Sequence, residues 1–391
     1  MPLKHLKGFF GVLSMLDVSV VGGGPAGAVC ARGLAEAGLN AAVLEEHSRP
    51  GVPVKCSGLI SLSGLDALGI DYSRAVQNRL HGAIIHAPGG TTMTVGNGKA
   101  RAAAVDRAVL DELLLDAAEG AGAEIHLNER VRDPSLLDAR VVVGADGPGS
   151  LVASRGGFPP ISDFAVCMQA DYSGLRLETR ERLHMFLSNA RYPGFFGWVI
   201  PTGSDTARVG LGVHTIISRE RGAEGGTSER VDALFARFLL GDAAPFIEGA
   251  KRESTLAGAI PLAPRAETVR GSTLLVGDAA GQVKATTGGG VVFGAVAAKS
   301  AARCIASGRV GEYEKAWRAE LGRDGALHGK IRVFLNSLTD ERMDSLFSLA
   351  KMFGAEAFLN EFGDMDRPAK MEEKLKGYGP IYAMYKQLVG A

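Results

Sequence analysis

"LDVSVVGGGPAGAVCARGLAEAGLNAAVLEEHSRPG", Leu16 to Gly51, is the stretch on which the reading of the fold turns. Val18–Val21 is a short apolar run of strand type, and Gly22–Gly24 interrupts it. Pro25–Ala37 then repeats small and apolar residues at helical spacing before a second strand at Ala41–Leu44. Strand, glycine turn, helix and strand in that order make a βαβ unit of a parallel sheet. Gly22, Gly24 and Gly27 form a GxGxxG pattern. In such a turn the first glycine permits the sharp reversal and the second lets the backbone approach a pyrophosphate. The third lets helix and strand pack closely. Glu45 ends the second strand, where a carboxylate accepts from a ribose hydroxyl. An acid there disfavours a 2′-phosphate, which leaves FAD or NAD as the expected dinucleotide.

Two later stretches decide between them. "AAVDRAVLDELLLDAAEGAGAEIHLNERV" predicts an amphipathic helix over Arg107–Ala118 that leads to a strand, and "ARVVVGADGPGSLVASRGG" predicts a buried strand that breaks at Asp146-Gly147. Asp146 is expected within a second set of contacts on the ADP side. "GDAAGQVKATTGGGVVFG", Gly277 to Gly294, follows a short strand at Ser272–Val276 and opens a small-residue helix running to about Ala302. Asp278 at the turn can accept from a ribityl chain. The helix N-terminus at Gly289 and Gly290 can hold the pyrophosphate or a flavin pyrimidine edge. Glycine clusters about 250 positions apart suit a long cofactor clamped by both ends of the chain, and that choice is FAD.

The composition excludes several classes. Lys plus Arg and Asp plus Glu both number 43 in 391 residues, and no block of like charge suggests a nucleic-acid partner. Cys30, Cys56, Cys167 and Cys304 are scattered without metal-ligand spacing, so no metal is expected and the reading is cytoplasmic. No apolar run approaches the roughly 18 residues that cross a bilayer. "MPLKHLKGFFGVLSML" resembles a short signal peptide but lacks a separate cleavage region, so residues 1–16 are read as an N-terminal extension.

GxGxxG at Gly22–Gly27, Arg107 in "DRAVLD", "GADGPGS" at Gly144–Ser150 and "GDAAG" at Gly277–Gly281 together resemble the FAD-dependent group that contains p-hydroxybenzoate hydroxylase. Within that group, "PVKCSGLIS" (Pro53–Ser61), "GDAAGQVKATTGGGV" and "FFGWVIP" (Phe195–Pro201) are similar to the archaeal geranylgeranyl reductases of ether-lipid synthesis. Phe196 and Ile200 stand where that family usually has Tyr and Phe, and Ala285 stands where a proline is common. The resemblance implies FAD contacts from Ala26, Glu45, Cys56, Ser57, Gly58, Arg107, Val131, Asp278, Gly290 and Val291. It also implies a prenyl lipid substrate and an electron donor, ferredoxin or reduced nicotinamide.

The expected fold class is α/β (α+β overall): a Rossmann-like FAD-binding domain with an inserted antiparallel-sheet substrate domain and a C-terminal helical cap. The FAD-binding domain is read as discontinuous over 17–60, 100–158 and 268–310. Residues 61–99 and 159–267 form the substrate sheet, and 311–391 the helical region. "RGAEGGTSER", 221–230, reads as an exposed loop. Apolar residues such as Phe334, Leu338, Leu346, Leu349 and Phe353 make a stripe that either packs as core or meets a greasy substrate or a membrane surface. Peripheral contact with the inner face of the cell membrane is the corresponding expectation.

Cys56 is the side chain expected nearest the flavin ring, either as a proton relay or redox-gating thiol or as a small residue lining the cofactor. Cys30 and Cys167 read as core. Phe196 and Trp198 alternate onto one face of a strand, so with Phe195 they are candidates for the substrate wall. A bulky residue at Gly197 between them is expected to narrow the slot. Tyr192 is a proton donor that no pattern places. Three functions compete: a prenyl-chain reductase, a flavin-dependent monooxygenase or halogenase on an aromatic substrate, and a non-catalytic isoprenoid-binding protein of the same fold. A halogenase is expected to have tryptophan at position 196. A mere binder has no need to keep Glu45, Arg107 and Asp278 together.

Overall fold

The computed structural model describes residues 16–215 and 230–390. The expected N-terminal extension, apart from Leu16, and positions 221–229 of the expected loop lie outside the described residues.

Among the described residues the strands form three sheets. The first begins with the βαβ unit read from the sequence: Leu16–Val21 pairs in parallel with Ala41–Glu45, Val18 opposite Ala41 and Val21 opposite Leu44. Glu124–Leu127 extends it on one side, and Ala139–Gly144 followed by Thr273–Leu275 on the other, all parallel. Val269–Arg270 closes that edge in antiparallel fashion. Val18, Val20 and Val43 are fully buried, as expected of parallel strands covered on both faces. One cover is the helix Pro25–Glu36, which packs against Val291–Ala306; a methyl group at Gly33 would come within 2.9 Å of the Ala302 Cβ. Small residues on both helices let the backbones approach, and that brings their N-termini together.

The second sheet runs in the order Lys251–Pro261, Phe164–Ser173, Thr206–His214, Gly197–Pro201, Arg182–Phe186, Gly82–His86 and Thr92–Val95. It is antiparallel except between Arg182–Phe186 and Gly82–His86, which run parallel. These two strands are separated by a long stretch that passes through the first sheet, the kind of connection a parallel pair requires. A third, three-stranded sheet, Leu59–Ser61, Ala102–Val105 and Val76–Leu80, was not anticipated from the sequence.

The C-terminal region is helical: Tyr313–Ser337, Asp340–Met352, Ala355–Phe362, Pro368–Leu375 and Gly379–Val389. Its polar residues cover an edge of the second sheet. Glu356 Oε1 accepts from Thr94 N at 2.6 Å and Asn360 Oδ1 from Gly96 N at 2.6 Å, so edge N–H groups that would face solvent are paired. Of the expected apolar stripe, Phe334, Leu338 and Leu346 are half-buried, whereas Leu349 and Phe353 are exposed, with Met352 beside them.

Candidate active site

The two glycine clusters meet. A Cβ on Gly277 would lie 2.8 Å from the Ala26 Cβ, and one on Gly294 only 3.1 Å from the Gly277 Cα. At the first turn, a Cβ on Gly22 would lie 2.4 Å from Ala145 O and one on Gly27 would lie 2.0 Å from Gly22 O. Both positions need glycine for the fold. Gly24 differs, for a Cβ there meets nothing within 4 Å. The space it faces belongs to a cavity of about 950 Å³, within the usual range of ligand pockets.

One part of the cavity wall is formed by Gly24, Ala26, Arg107, Asp278, Gly289 and Gly290, with Val291 behind them at the start of its helix. Arg107 donates Nε to Asp111 Oδ1 at 2.9 Å and Nη2 to Asp111 Oδ2 at 3.0 Å. Burial works against its charge, but Asp111 and the neighbouring Cys56 outweigh that and hold its pKa above the ordinary value. Asp278 moves the other way: burial raises its pKa, and Arg107 only partly offsets this. Its carboxylate makes no hydrogen bond to protein among the described residues, so it has acceptor capacity to spare.

Glu45 is engaged, accepting from Gly23 N at 2.7 Å and His47 N at 3.0 Å, which fixes its carboxylate beside the glycine turn. Asp146 caps the short helix Leu151–Arg155, accepting from Ser150 Oγ at 2.6 Å and Val152 N at 3.0 Å. Its neighbours Ala145 and Gly147 line the cavity instead. Val131 packs with Val21, Val152 and Leu275 in a separate apolar cluster.

Among the described residues, three buried polar atoms on cavity-lining side chains have no partner: Gln169 Oε1, Trp198 Nε1 and Thr287 Oγ1. Native structures seldom leave such atoms unpaired, and a ligand with both donors and acceptors would pair them. The open face at Gly24, the free Asp278 carboxylate, two converging helix N-termini and these orphaned atoms together fit a flavin dinucleotide.

Cys56 and Ser57 line the cavity, and Gly58 follows them without lining it. Gly58 N donates to Cys56 Sγ at 3.3 Å, Gln169 Nε2 to Cys56 O at 3.2 Å, and Arg208 Nη1 to Ser57 O at 2.7 Å. Gly58 has φ +68°, and a Cβ there would strike Val105 O at 2.3 Å, so the segment has one path through this gap. Cys30 is fully buried, as expected of core. Cys167 is not simply core: it faces the cavity near Cys56, with its thiol pushed up to about 12, chiefly by burial.

The second part of the wall is apolar and includes Leu183, Met185, Phe195, Phe196, Trp198 and Ile200. The Phe195 and Phe196 rings stack at 4.3 Å, and Trp198 meets Phe196 edge-on at 5.8 Å. Gly197 does not face this slot. A Cβ there would lie 2.8 Å from the Phe238 ring in the core on the other side of the sheet, which corrects the expectation that enlarging it narrows the cavity. Tyr192 is also placed elsewhere, buried with its hydroxyl donating to Asp242.

The sequence reading missed a buried ion pair in this wall. Lys284 Nζ lies 2.5 Å from Asp366 Oδ1, both side chains almost wholly buried, and Ser61 Oγ donates to the other Asp366 oxygen. Lys284 stands out in "GQVKATTGGG" as the one charge in a small-residue run; nothing local marks Asp366 as its partner.

Residues 15–312 match the FAD binding domain family. A digeranylgeranylglycerophospholipid reductase of Methanopyrus kandleri is 31% identical over 92% of this chain and 94% of its own length. The chain belongs to the FAD-binding digeranylgeranylglycerophospholipid reductases. A second such reductase, from Methanothermobacter thermautotrophicus, is 29% identical over 86% of this chain and 90% of its own length. Among solved structures, a geranylgeranyl bacteriochlorophyll reductase-like protein of Thermoplasma acidophilum superposes with TM-score 0.77 at 22% identity, covering 93% of this chain and 99% of the other. A flavin-dependent brominase follows at TM-score 0.67 and 15% identity over 93% of this chain and 99% of its own, a likeness of fold alone. The cofactor of this family is FAD, and the α/β fold read from the sequence is the fold of its members.

Proposed function

We propose that the protein is an FAD-dependent reductase that saturates the double bonds of geranylgeranyl chains in a glycerophospholipid. The observation that carries this reading is one cavity with two linings: the glycine-rich loops on one part and an aromatic and aliphatic wall on the other. In this reading residues 17–60, 100–158 and 268–310 form the FAD-binding unit, 61–99 and 159–267 the substrate unit, and 311–391 the cap.

Saturating an isolated alkene adds hydride to one carbon and a proton to the other. The bound cofactor supplies the hydride. The chain's own residues do the rest. Gly24, Asp278, Gly289 and Gly290 hold the cofactor, and Arg107 keeps a fixed positive charge beside Cys56. Phe195, Phe196 and Trp198 orient the prenyl chain and exclude water, which shields the developing charge from side reactions. Cys56 lines the cavity with Arg107 and Cys167 near it and is the proposed proton relay to the alkene.

The exposed Leu349, Met352 and Phe353 support peripheral contact with a membrane, from which such a substrate is drawn. No helix among the described residues is long and apolar enough to cross one. Ferredoxin or a reduced nicotinamide would supply the electrons.

Anaerobic incubation of the reduced holoenzyme with a geranylgeranyl glycerophospholipid, read by product mass, tests the reading. A gain of two hydrogens per double bond is the expected result. No mass change with any prenyl chain, together with flavin oxidation by oxygen stimulated by a phenol, would replace the reductase by a monooxygenase.

A further inference from the structure

Arg332 lies on the helix Tyr313–Ser337, outside the stretches from which the cofactor and substrate were read, and is 5% exposed. Among the described residues its guanidinium has no carboxylate within ion-pair distance; it bonds to backbone carbonyls of two other segments. Nε donates to Ala285 O at 3.0 Å and Nη2 to Thr286 O, both on the loop that leads into Gly288–Gly290. Nη1 donates to Gly194 O at 3.1 Å, on the approach to the aromatic wall. The same group lies over the Phe195 ring at 4.7 Å and the Phe196 ring at 5.9 Å.

Burying a cation without a counter-charge is costly, and burial brings this guanidinium down to about 10, with distant Asp163 in partial compensation. It remains charged near neutrality. A charge kept at that cost needs a reason beyond filling space, because an apolar side chain would fill it more cheaply. The geometry offers one. The cofactor loop and the wall already touch where a Cβ on Gly288 would lie 3.3 Å from Phe195 Cζ, and Arg332 fastens both from behind. Only a planar fork reaches three carbonyls and two ring faces at once, which a lysine does not reproduce.

We propose that Arg332 is a positioning residue that fixes the FAD-binding loop against the aromatic wall, so that the seat of the cofactor and the slot beside it are set by one side chain. It acts through Ala285, Thr286 and Phe195 and touches no reacting atom. The proposal rests on FAD binding and not on the identity of the lipid.

The test uses Arg332→Lys and Arg332→Ala, titrating apoprotein with FAD and recording the bound flavin's visible spectrum. Both variants are expected to bind FAD about tenfold more weakly with an altered spectrum, since the loop loses its tether. Guanidinium ion at tens of millimolar is expected to restore affinity and spectrum to Arg332→Ala and not to Arg332→Lys. Wild-type affinity and spectrum in folded Arg332→Lys would overturn the proposal, as would weakened binding in Arg332→Ala that guanidinium leaves unchanged, which is what generic packing gives. If Arg332→Ala does not fold, Arg332→Lys alone decides. None of these readings needs a prenyl substrate, so a failure here is separate from a failure of the reductase reading.

Discussion

Gly24 and Gly27 sit three residues apart in one motif, yet the structure assigns them different jobs, and two alanine substitutions should separate binding from folding. A methyl group at Gly27 would lie 2.0 Å from Gly22 O and 3.1 Å from the Ala145 Cβ. Helix and strand must separate by about 1 Å to admit it, overpacking of a kind that costs about 1–3 kcal/mol and more where the obstacle is backbone. Gly24 has φ −68° and ψ 177°, which any residue adopts, and a methyl there meets nothing within 4 Å. Exchanging glycine for alanine at this N-cap should cost the apoprotein about 1 kcal/mol or less. The methyl does project into the cavity, where the backbone must approach a pyrophosphate.

The expected loss is therefore in FAD affinity, on the order of hundredfold, or about 2.7 kcal/mol. With FAD at about a thousand times the wild-type Kd, ligand linkage adds about 4.1 kcal/mol to the wild type and only about 1.4 to Gly24→Ala. Urea unfolding of apo and FAD-saturated protein, with Kd from flavin fluorescence, measures both quantities. Apo Gly24→Ala should stay within about 1 kcal/mol of wild type and fall well short only when FAD is present, whereas Gly27→Ala should be unstable in both states. Wild-type affinity in Gly24→Ala would show that this glycine does not face the pyrophosphate. An apo midpoint as low as that of Gly27→Ala would show that the space in front of it is not open.

Asp278→Ala should weaken FAD binding by ten- to a hundredfold, the loss of one charge-assisted hydrogen bond of about 1.5–3 kcal/mol; unchanged affinity would remove Asp278 from the cofactor. Lys284→Met or Asp366→Leu alone should cost about 3–5 kcal/mol by stranding a buried charge, and the double variant should recover most of it; denaturant midpoints near wild type for both singles would refute the buried pair. Cys56→Ser should keep FAD and slow single-turnover reduction of the lipid, and equal rates would leave Cys56 as lining only. Gly197→Trp should lower stability, because it drives a ring into Phe238, without altering the range of chain lengths accepted by the folded fraction; a selective loss of long chains at wild-type stability would contradict the placement.

The parts of this site that were legible in the sequence are those encoded within a single local run. GxGxxG between a strand and a helix states its own geometry, because the strand, turn and helix that define it are contiguous in the sequence. Phe196 and Trp198 share a face by strand alternation, and the same rule puts Gly197 on the opposite face, so the error there came from applying half of the rule. Cys167 is a different case: an apolar strand position reads the same whether its face meets core or a cavity, and only the assembled sheet distinguishes them.

What stayed hidden is chiefly charge. Arg208, Lys284, Arg332 and Asp366 are each buried, although residues of these types are mostly exposed unless paired. Their partners explain why no local pattern revealed them. Asp366 meets Ser61 across 305 positions and Lys284 across 82, and Arg332 meets Gly194 across 138. Arg208 meets Ser57 across 151. Periodicity reports which face of an element is apolar; it cannot report that a polar residue on that face will find a carbonyl or an opposite charge on a segment folded against it. Each of these four ties together segments that lie far apart in the chain. Apolar contacts alone would let those segments slide, whereas a directional hydrogen bond to a buried carbonyl has one satisfactory length. The charges least visible in the sequence are therefore the ones that hold Ser57, Ser61, Lys284 and Gly194 to segments distant in the chain.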